Sequence, residues 1–268
     1  MTLQSTGSIS LSEIQTEFGG TNPTSISEYY RGGTYVSNIN VNNNIPTSGA
    51  ISFSDFYLGK SSAVNVNYIT SASLDTNVFT YTFNNISIGT ASSDRLVVIG
   101  ASINAEASQT YYISGITING TSATTAATSA SGKNCWIVYL PISTGITANV
   151  VVSLAGTGTP GRCAIGVYTI TGQTSNTPVT VQNNLTGTPT ASSSLTYYPG
   201  SVAIAAIFSY TNTPYTFTLS NLTENYDATI EDSRHAFGST TFSANTLSSS
   251  ATISLATGVT YMSIAAWR

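Results

Sequence analysis

A 268-residue chain can bury one large core or two smaller ones, which sets a prior of roughly one to two domains. Charged residues make up only 7% of it, against about 25% in ordinary globular proteins, so Ser, Thr, Asn and Tyr must form the surface and its contacts should depend weakly on salt. Net charge is −4 and the seven basic residues are scattered, so the basic stripe that neutralises phosphates is missing, which excludes nucleic acid as a partner.

The first residues show no basic stretch leading into an apolar run, and no window approaches about 18 uninterrupted apolar residues. The expectation is a chain made and folded in a cytoplasm, with no secretory signal and no membrane insertion. Residues 1–60 carry a motif written twice, Gly7-Ser-Ile-Ser-Leu-Ser-Glu-Ile14 and Gly49-Ala-Ile-Ser-Phe-Ser-Asp-Phe56. In each copy a strand-like alternation (Ile9, Leu11; Ile51, Phe53) runs into Ser-x-x-acid, Ser10 to Glu13 and Ser52 to Asp55. That spacing is a capping box, whose hydroxyl and carboxylate satisfy backbone N–H groups that a new helix leaves unpaired. Each copy therefore predicts strand, cap and short helix.

A third box spans Ser25 to Glu28, and Gly32-Gly33 stops the helix that it opens. Ile14 and Phe18, four apart, share a face of the first helix, and Gly19-Gly20 ends it. The Asn-rich stretch 37–47 predicts a loop or extended arm. Sixty residues with so few large apolar groups bury little surface alone, which predicts a module that folds fully only against a partner or its own copies.

The string Ile45-Pro-Thr-Ser-Gly-Ala-Ile-Ser-Phe-Ser-Asp-Phe-Tyr57, together with 9–14 and Tyr29-Tyr30-Arg31-Gly32-Gly33, resembles the N-terminal module of tailed-bacteriophage virion proteins of the tail-fibre or appendage type, those of marine phages above all. In that pattern glycine comes directly after the tyrosine, where this chain has Leu58. The resemblance implies that residues 1–60 anchor the chain to other virion proteins and that residues 61–268 face outward, towards a glycan or protein of the host surface. Carried over residue by residue, Ile9, Leu11, Ile14, Phe18, Ile51, Phe53, Phe56 and Tyr57 are virion-docking positions or the packing positions of the module's own small core. Phage fibres are commonly three-fold. A Ser/Thr-rich sandwich with few lysines also lacks charged blunting of its edge strands, so a homotrimer is expected.

Residues 61–268 read as strands throughout. Stretches 64–69 and 78–83 alternate with period 2, whereas 96–99 and 202–208 are continuous apolar runs. Residues 113–118 leading into Asn119-Gly120 make the strongest hairpin signal, because Asn-Gly supplies the positive φ angles of a type I′ turn. Further strands are expected at 136–140, 150–154, 164–170, 215–219, 240–243, 252–255 and 259–267. Short strands separated by Gly, Pro, Asn and Ser, with no fixed sequence period, predict a mainly β chain. Its form is a small N-terminal module with short helices, then an antiparallel β-sandwich, jelly-roll or Ig-like, and not a β-helix.

The familiar catalytic and nucleotide-binding motifs are missing, so no catalytic residue, cofactor or metal site is expected. Cys135 and Cys163, with a single histidine, are too few for a disulfide framework or structural zinc, and they read as buried free thiols. Asn-x-Ser/Thr strings at Asn85, Asn119, Asn184 and Asn221 mean nothing for glycosylation without a secretory signal. Tyrosine pairs such as Tyr111-Tyr112 and Tyr197-Tyr198 suit contact surfaces and strands alike.

Charge concentrates in one place, a candidate receptor-contact loop holding Glu224, Asp227, Glu231, Asp232, Arg234 and His235. In order of preference it reads as a solvated loop with Arg234 neutralising its neighbours, a sugar- or receptor-contacting loop, oxygen ligands for Ca²⁺, or a carboxylate pair for glycoside hydrolysis. The functional expectation is a non-enzymatic phage virion component located in the virion. The alternatives are a phage-borne polysaccharide hydrolase or a head or collar decoration protein.

Overall fold

The computed structural model describes residues 3–39, 42–60, 63–104, 111–129, 135–158, 160–196, 200–210, 215–242 and 246–268. The other residues, including Ser61, Ser62, Tyr197, Tyr198 and Ser243 of the stretches read above, lie outside that set.

Among the described residues, seventeen strands form four antiparallel sheets. The first nine are β1 (Asn65–Leu74), β2 (Thr80–Ser87), β3 (Leu96–Asn104), β4 (Tyr112–Ile118), β5 (Thr121–Ser122), β6 (Thr124–Thr128), β7 (Cys135–Pro141), β8 (Thr147–Ala155) and β9 (Gly161–Thr171). They make a five-stranded sheet β1-β9-β3-β7-β6 and a four-stranded sheet β2-β8-β4-β5. The pairings β1 with β9, β2 with β8, β3 with β7 and β4 with β5 are nested, as in one long hairpin rolled over a core. That nesting defines a jelly roll. The Asn-Gly turn forms as its sequence requires, with φ of 51° at Asn119 and 78° at Gly120.

The remaining strands repeat the plan. They are β10 (Thr180–Gly187), β11 (Thr190–Thr196), β12 (Val202–Tyr210), β13 (Phe217–Ser220), β14 (Thr223–Ile230), β15 (Ser233–Thr241), β16 (Thr246–Ile253) and β17 (Thr260–Trp267). Their sheets are β10-β17-β12-β15-β14 and β11-β16-β13, the same order with β10 in the place of β1 and β17 in that of β9. The expected sandwich is present twice, and the chain is a duplication in topology although its sequence shows no period. What the halves share is inward alternation. β8 buries Ala148, Val150, Val152 and Leu154, and β16 buries Leu247, Ser249, Ala251 and Ile253 at matching steps.

The two five-stranded sheets face each other, giving four layers. One apolar cluster fills each sandwich, and a third, with Leu96, Val98, Tyr139, Ile170, Ile204, Phe208, Phe237 and Trp267, fills the seam between them. The continuous apolar runs are thereby explained. β3 and β12 are covered on both faces, so both sets of alternating side chains must be apolar. At the seam Gly100 and Gly166, paired across β3 and β9, leave a slot for the Phe237 ring. A Cβ at Gly166 would lie 2.8 Å from that ring.

Residues 3–60 hold all three capping boxes, at Ser10/Glu13, Ser25/Glu28 and Ser52/Asp55. Only the first leads into an α-helix, α1 (Leu11–Phe18); the others cap single 3-10 turns, Ile26–Glu28 and Phe53–Phe56. The strands expected before the caps do not form. Leu11 and Phe53 are instead the first helical residues, and the backbone pairing described in this region is one bridge between Arg31 and Val36. With no neighbouring strand to complete a ladder, the segment satisfies its backbone through turns and caps. Leu58, the departure from the phage pattern, adopts φ 62°, a left-handed conformation that glycine would take without strain.

Candidate functional site

The docking positions are mostly packing positions. Ile9, Ile14, Phe18 and Phe56 are buried in one cluster with Leu3, Tyr29, Val36 and Ile45, and Leu11, Ile51 and Tyr57 lie partly buried against it. Phe56 meets Phe18 edge-on at 6.2 Å and Tyr29 at 6.3 Å. Phe53 is the exception, 43% exposed. The repeat places it where Leu11 stands in the first copy, on the outer side of a single turn.

This segment sits at one end of the stacked sandwiches. Lys60 donates its ammonium to the Gly172 carbonyl, and the Arg268 guanidinium donates to the Leu58 carbonyl. Burial, and then the charge of Arg268, pull the Lys60 ammonium down to about 8. Next to this joint Arg95 is buried and donates to five carbonyls, of Ile88, Gly89, Ile142, Thr144 and Gly145, which holds the loops of that end together. β3 and β12 both start here and run the same way. Ser102 near the end of one bonds His235, which pairs with Phe208 near the end of the other. The connections 75–79, 188–189, 231–232 and 254–259 accordingly lie at the far end.

The charged stretch is a β-hairpin, not a loop. Glu224 and Asp227 lie on β14, Arg234 and His235 on β15, and Glu231-Asp232 is the tight turn between them, with Glu231 at φ 52°. Asp227 pairs with Arg234 and also accepts from the Phe217 N–H at 3.0 Å, so its carboxylate belongs to the sheet. Partial burial, and next the nearby Asp227, push the Glu224 carboxyl up.

His235, expected in a surface-contacting loop, is fully buried in the seam. Its Nδ1 lies 2.8 Å from Ser102 Oγ, its Nε2 lies 2.9 Å from Ser233 Oγ, and Phe208 packs edge-on at 5.2 Å. Burial pulls the imidazole down to about 3, so it stays neutral at ordinary pH. The alternation of β15 puts this ring inward, and the opposing sandwich seals it. It cannot touch a receptor.

The hairpin tip meets residues from the first sandwich. Arg162 pairs with Glu231, with Asp75 at 3.2 Å and with Asp232 at 3.5 Å, while Asn104 Nδ2 donates to Asp232 at 2.8 Å. Glu231 and Asp232 stand out in the sequence as part of the charged cluster, whereas Arg162, Asp75 and Asn104 carry no signal there, because only the stacking of the two halves brings them near. One arginine among three carboxylates makes a tie between sandwiches. Among the described residues no group of three or more His, Cys, Asp or Glu side chains is placed to hold a metal ion. Cys135 and Cys163 are buried free thiols, pushed up by burial and so unreactive.

No family model matches the chain, and no curated protein matches it. Among solved structures, a chain in the crystal structure of Cucumber Necrosis Virus aligns at 11% identity over 76% of this chain and 85% of that one, with a TM-score of 0.23. At that score the alignment adds nothing to the fold, which rests on the strand order itself.

Proposed function

We propose that the chain is a non-enzymatic virion component, a short fibre or appendage that docks on the particle through residues 3–60 and turns its paired jelly rolls towards the host surface. The observation that carries this reading is the separation of ends. The segment that resembles a phage anchoring module, with the exposed Phe53, caps one end of the stack through Lys60 and Arg268, and the crossover loop 75–79 and the hairpin tip 231–232 lie at the other. The one imidazole of the chain, His235, is sealed in the seam and offers a substrate no general base, which leaves carboxylates alone for any hydrolytic reading. A fragment starting at Ser61 should give a β-rich circular dichroism spectrum and yet stay out of particles assembled in its presence. Incorporation at the full-length copy number would overturn the proposal.

A further inference from the structure

The duplication creates two lateral seams, and they differ. In one, β10 lies beside β6, and Asn183, in the irregular stretch of β10, closes the gap by accepting the Thr128 N–H at 2.8 Å. In the other, β1 lies beside β14, the counterparts of β10 and β6, and a cleft of about 360 Å³ stays open. Its walls include Asn67, Tyr68, Thr223, Asn225, Ser239 and Thr241, with no charged side chain among the lining residues. The volume is at the small end of the range typical of ligand sites, roughly 300–1,000 Å³.

Asn225 is a built feature of this cleft. It is the extra residue of a β-bulge, since Glu224 pairs with Gly238 and Tyr226 with Phe237, and a bulge re-aims the side chain it inserts. Its Oδ1 accepts from the Tyr168 hydroxyl at 3.1 Å and from Ser239 Oγ at 2.8 Å. The carboxamide is therefore held from two sides, one in each sandwich, and its Nδ2 donors have no partner among the described residues. The Tyr68 hydroxyl likewise has none, and its ring packs on Tyr168 with centroids 5.5 Å apart.

From this arrangement we propose that the β1/β14 cleft is a binding site for a neutral saccharide. A fixed pair of amide donors, a free phenol, a fringe of Ser and Thr hydroxyls and an aromatic ring match a ligand made of hydroxyls and C–H faces. The absence of a cationic lining residue argues against an acidic sugar or a phosphate. For its biological meaning the inference rests on the host-surface reading above, with the cleft on the flank of the stack as the contact.

The test is saturation-transfer NMR and titration of the full chain with lactose, maltose and N,N′-diacetylchitobiose. Asn225→Asp keeps an acceptor for Tyr168 and Ser239 and removes the donors, so it should weaken the bound sugar at least tenfold. Tyr68→Phe, which loses one hydroxyl and keeps the ring, should weaken it about threefold to tenfold. Asn183→Asp, at the closed seam, should leave it unchanged. Equal loss in Asn225→Asp and Asn183→Asp, or full binding by Asn225→Asp, would overturn the site. If none of the sugars binds while the purified chain still blocks particle adsorption to cells, the saccharide inference is wrong and host attachment survives. If the chain neither binds sugar nor blocks adsorption, both readings are overturned.

Discussion

Replacing Phe56 by Ala should open the N-terminal segment and leave the sandwiches standing. The ring is fully buried and is held edge-on between Phe18 and Tyr29, at 6.2 and 6.3 Å, in a cluster whose other large members are few. Truncating a buried phenylalanine costs about 3–5 kcal/mol. A cluster this small cannot close round the cavity, because Tyr29 is tied through its hydroxyl to the Gly19 carbonyl and cannot swing inward. The loss is comparable with the whole local stability such a segment can have. Phe53→Ala removes a ring that is 43% exposed and should change stability by about 0.5 kcal/mol or less. Limited proteolysis read by mass spectrometry distinguishes the two. Phe56→Ala should be cut throughout residues 3–60 within a time that leaves wild type and Phe53→Ala intact, while thermal melting of the β signal is unchanged. Equal protection of Phe56→Ala and wild type, or equal damage by both substitutions, would refute this account of the segment's core.

The buried His235 has its folded value near 3, below the unfolded 6.5, so the unfolded chain binds the extra proton. Its contribution is present above pH 6.5 and is lost as pH falls towards 3; a melting-temperature profile should show a drop across that window that is smaller in His235→Gln. Lys60 has its folded value near 8 against 10.5, so the joint should tighten as pH rises from 8 to 10.5. The protection of the 3–60 segment against hydrogen exchange, taken relative to the base-catalysed intrinsic rate at each pH, should rise across that window in wild type and stay level in Lys60→Met. Light scattering of the purified 27.9 kDa chain should return roughly three times that mass if closed three-fold symmetry covers the strand edges, and a monomer in the assembled particle would defeat the expectation.

The caps, the Asn-Gly hairpin and the central strands were legible in the sequence because each depends on neighbours along the chain. β11 and β16 were hard to read for the opposite reason. Their inward positions include Ser193 and Ser249, so burial leaves little hydropathy contrast between their two faces. β15 looked like a charged loop because Arg234 and His235 sit at its start, where Asp227 and two serine hydroxyls satisfy them. The continuous apolar runs at 96–99 and 202–208 carried more than a strand assignment. In an antiparallel protein they require sheets covered on both faces, and hence a stack instead of a single sandwich. The cleft residues Tyr68 and Asn225 gave no signal at all, since a bulge and a duplication, neither visible as a motif, bring them together.

The strands of both halves run from the joint at Lys60 and Arg268 to the tips at Asp75 and Glu231. A tug between an anchored N-terminal segment and a hold on those tips acts along the strands, at right angles to the ladder hydrogen bonds. Between Lys60 and Asp75 the load runs through the covalent backbone of β1, and the pairing of β1 with β9 from Asn65↔Thr171 to Leu74↔Cys163 keeps that strand in its sheet. The seam shares the load between the halves, because the Phe237 ring seated against Gly100 and Gly166 blocks sliding of one sheet over the other. The N-terminal segment is therefore tied to the stack twice, by the backbone that continues into β1 and by the contacts of Lys60 and Arg268.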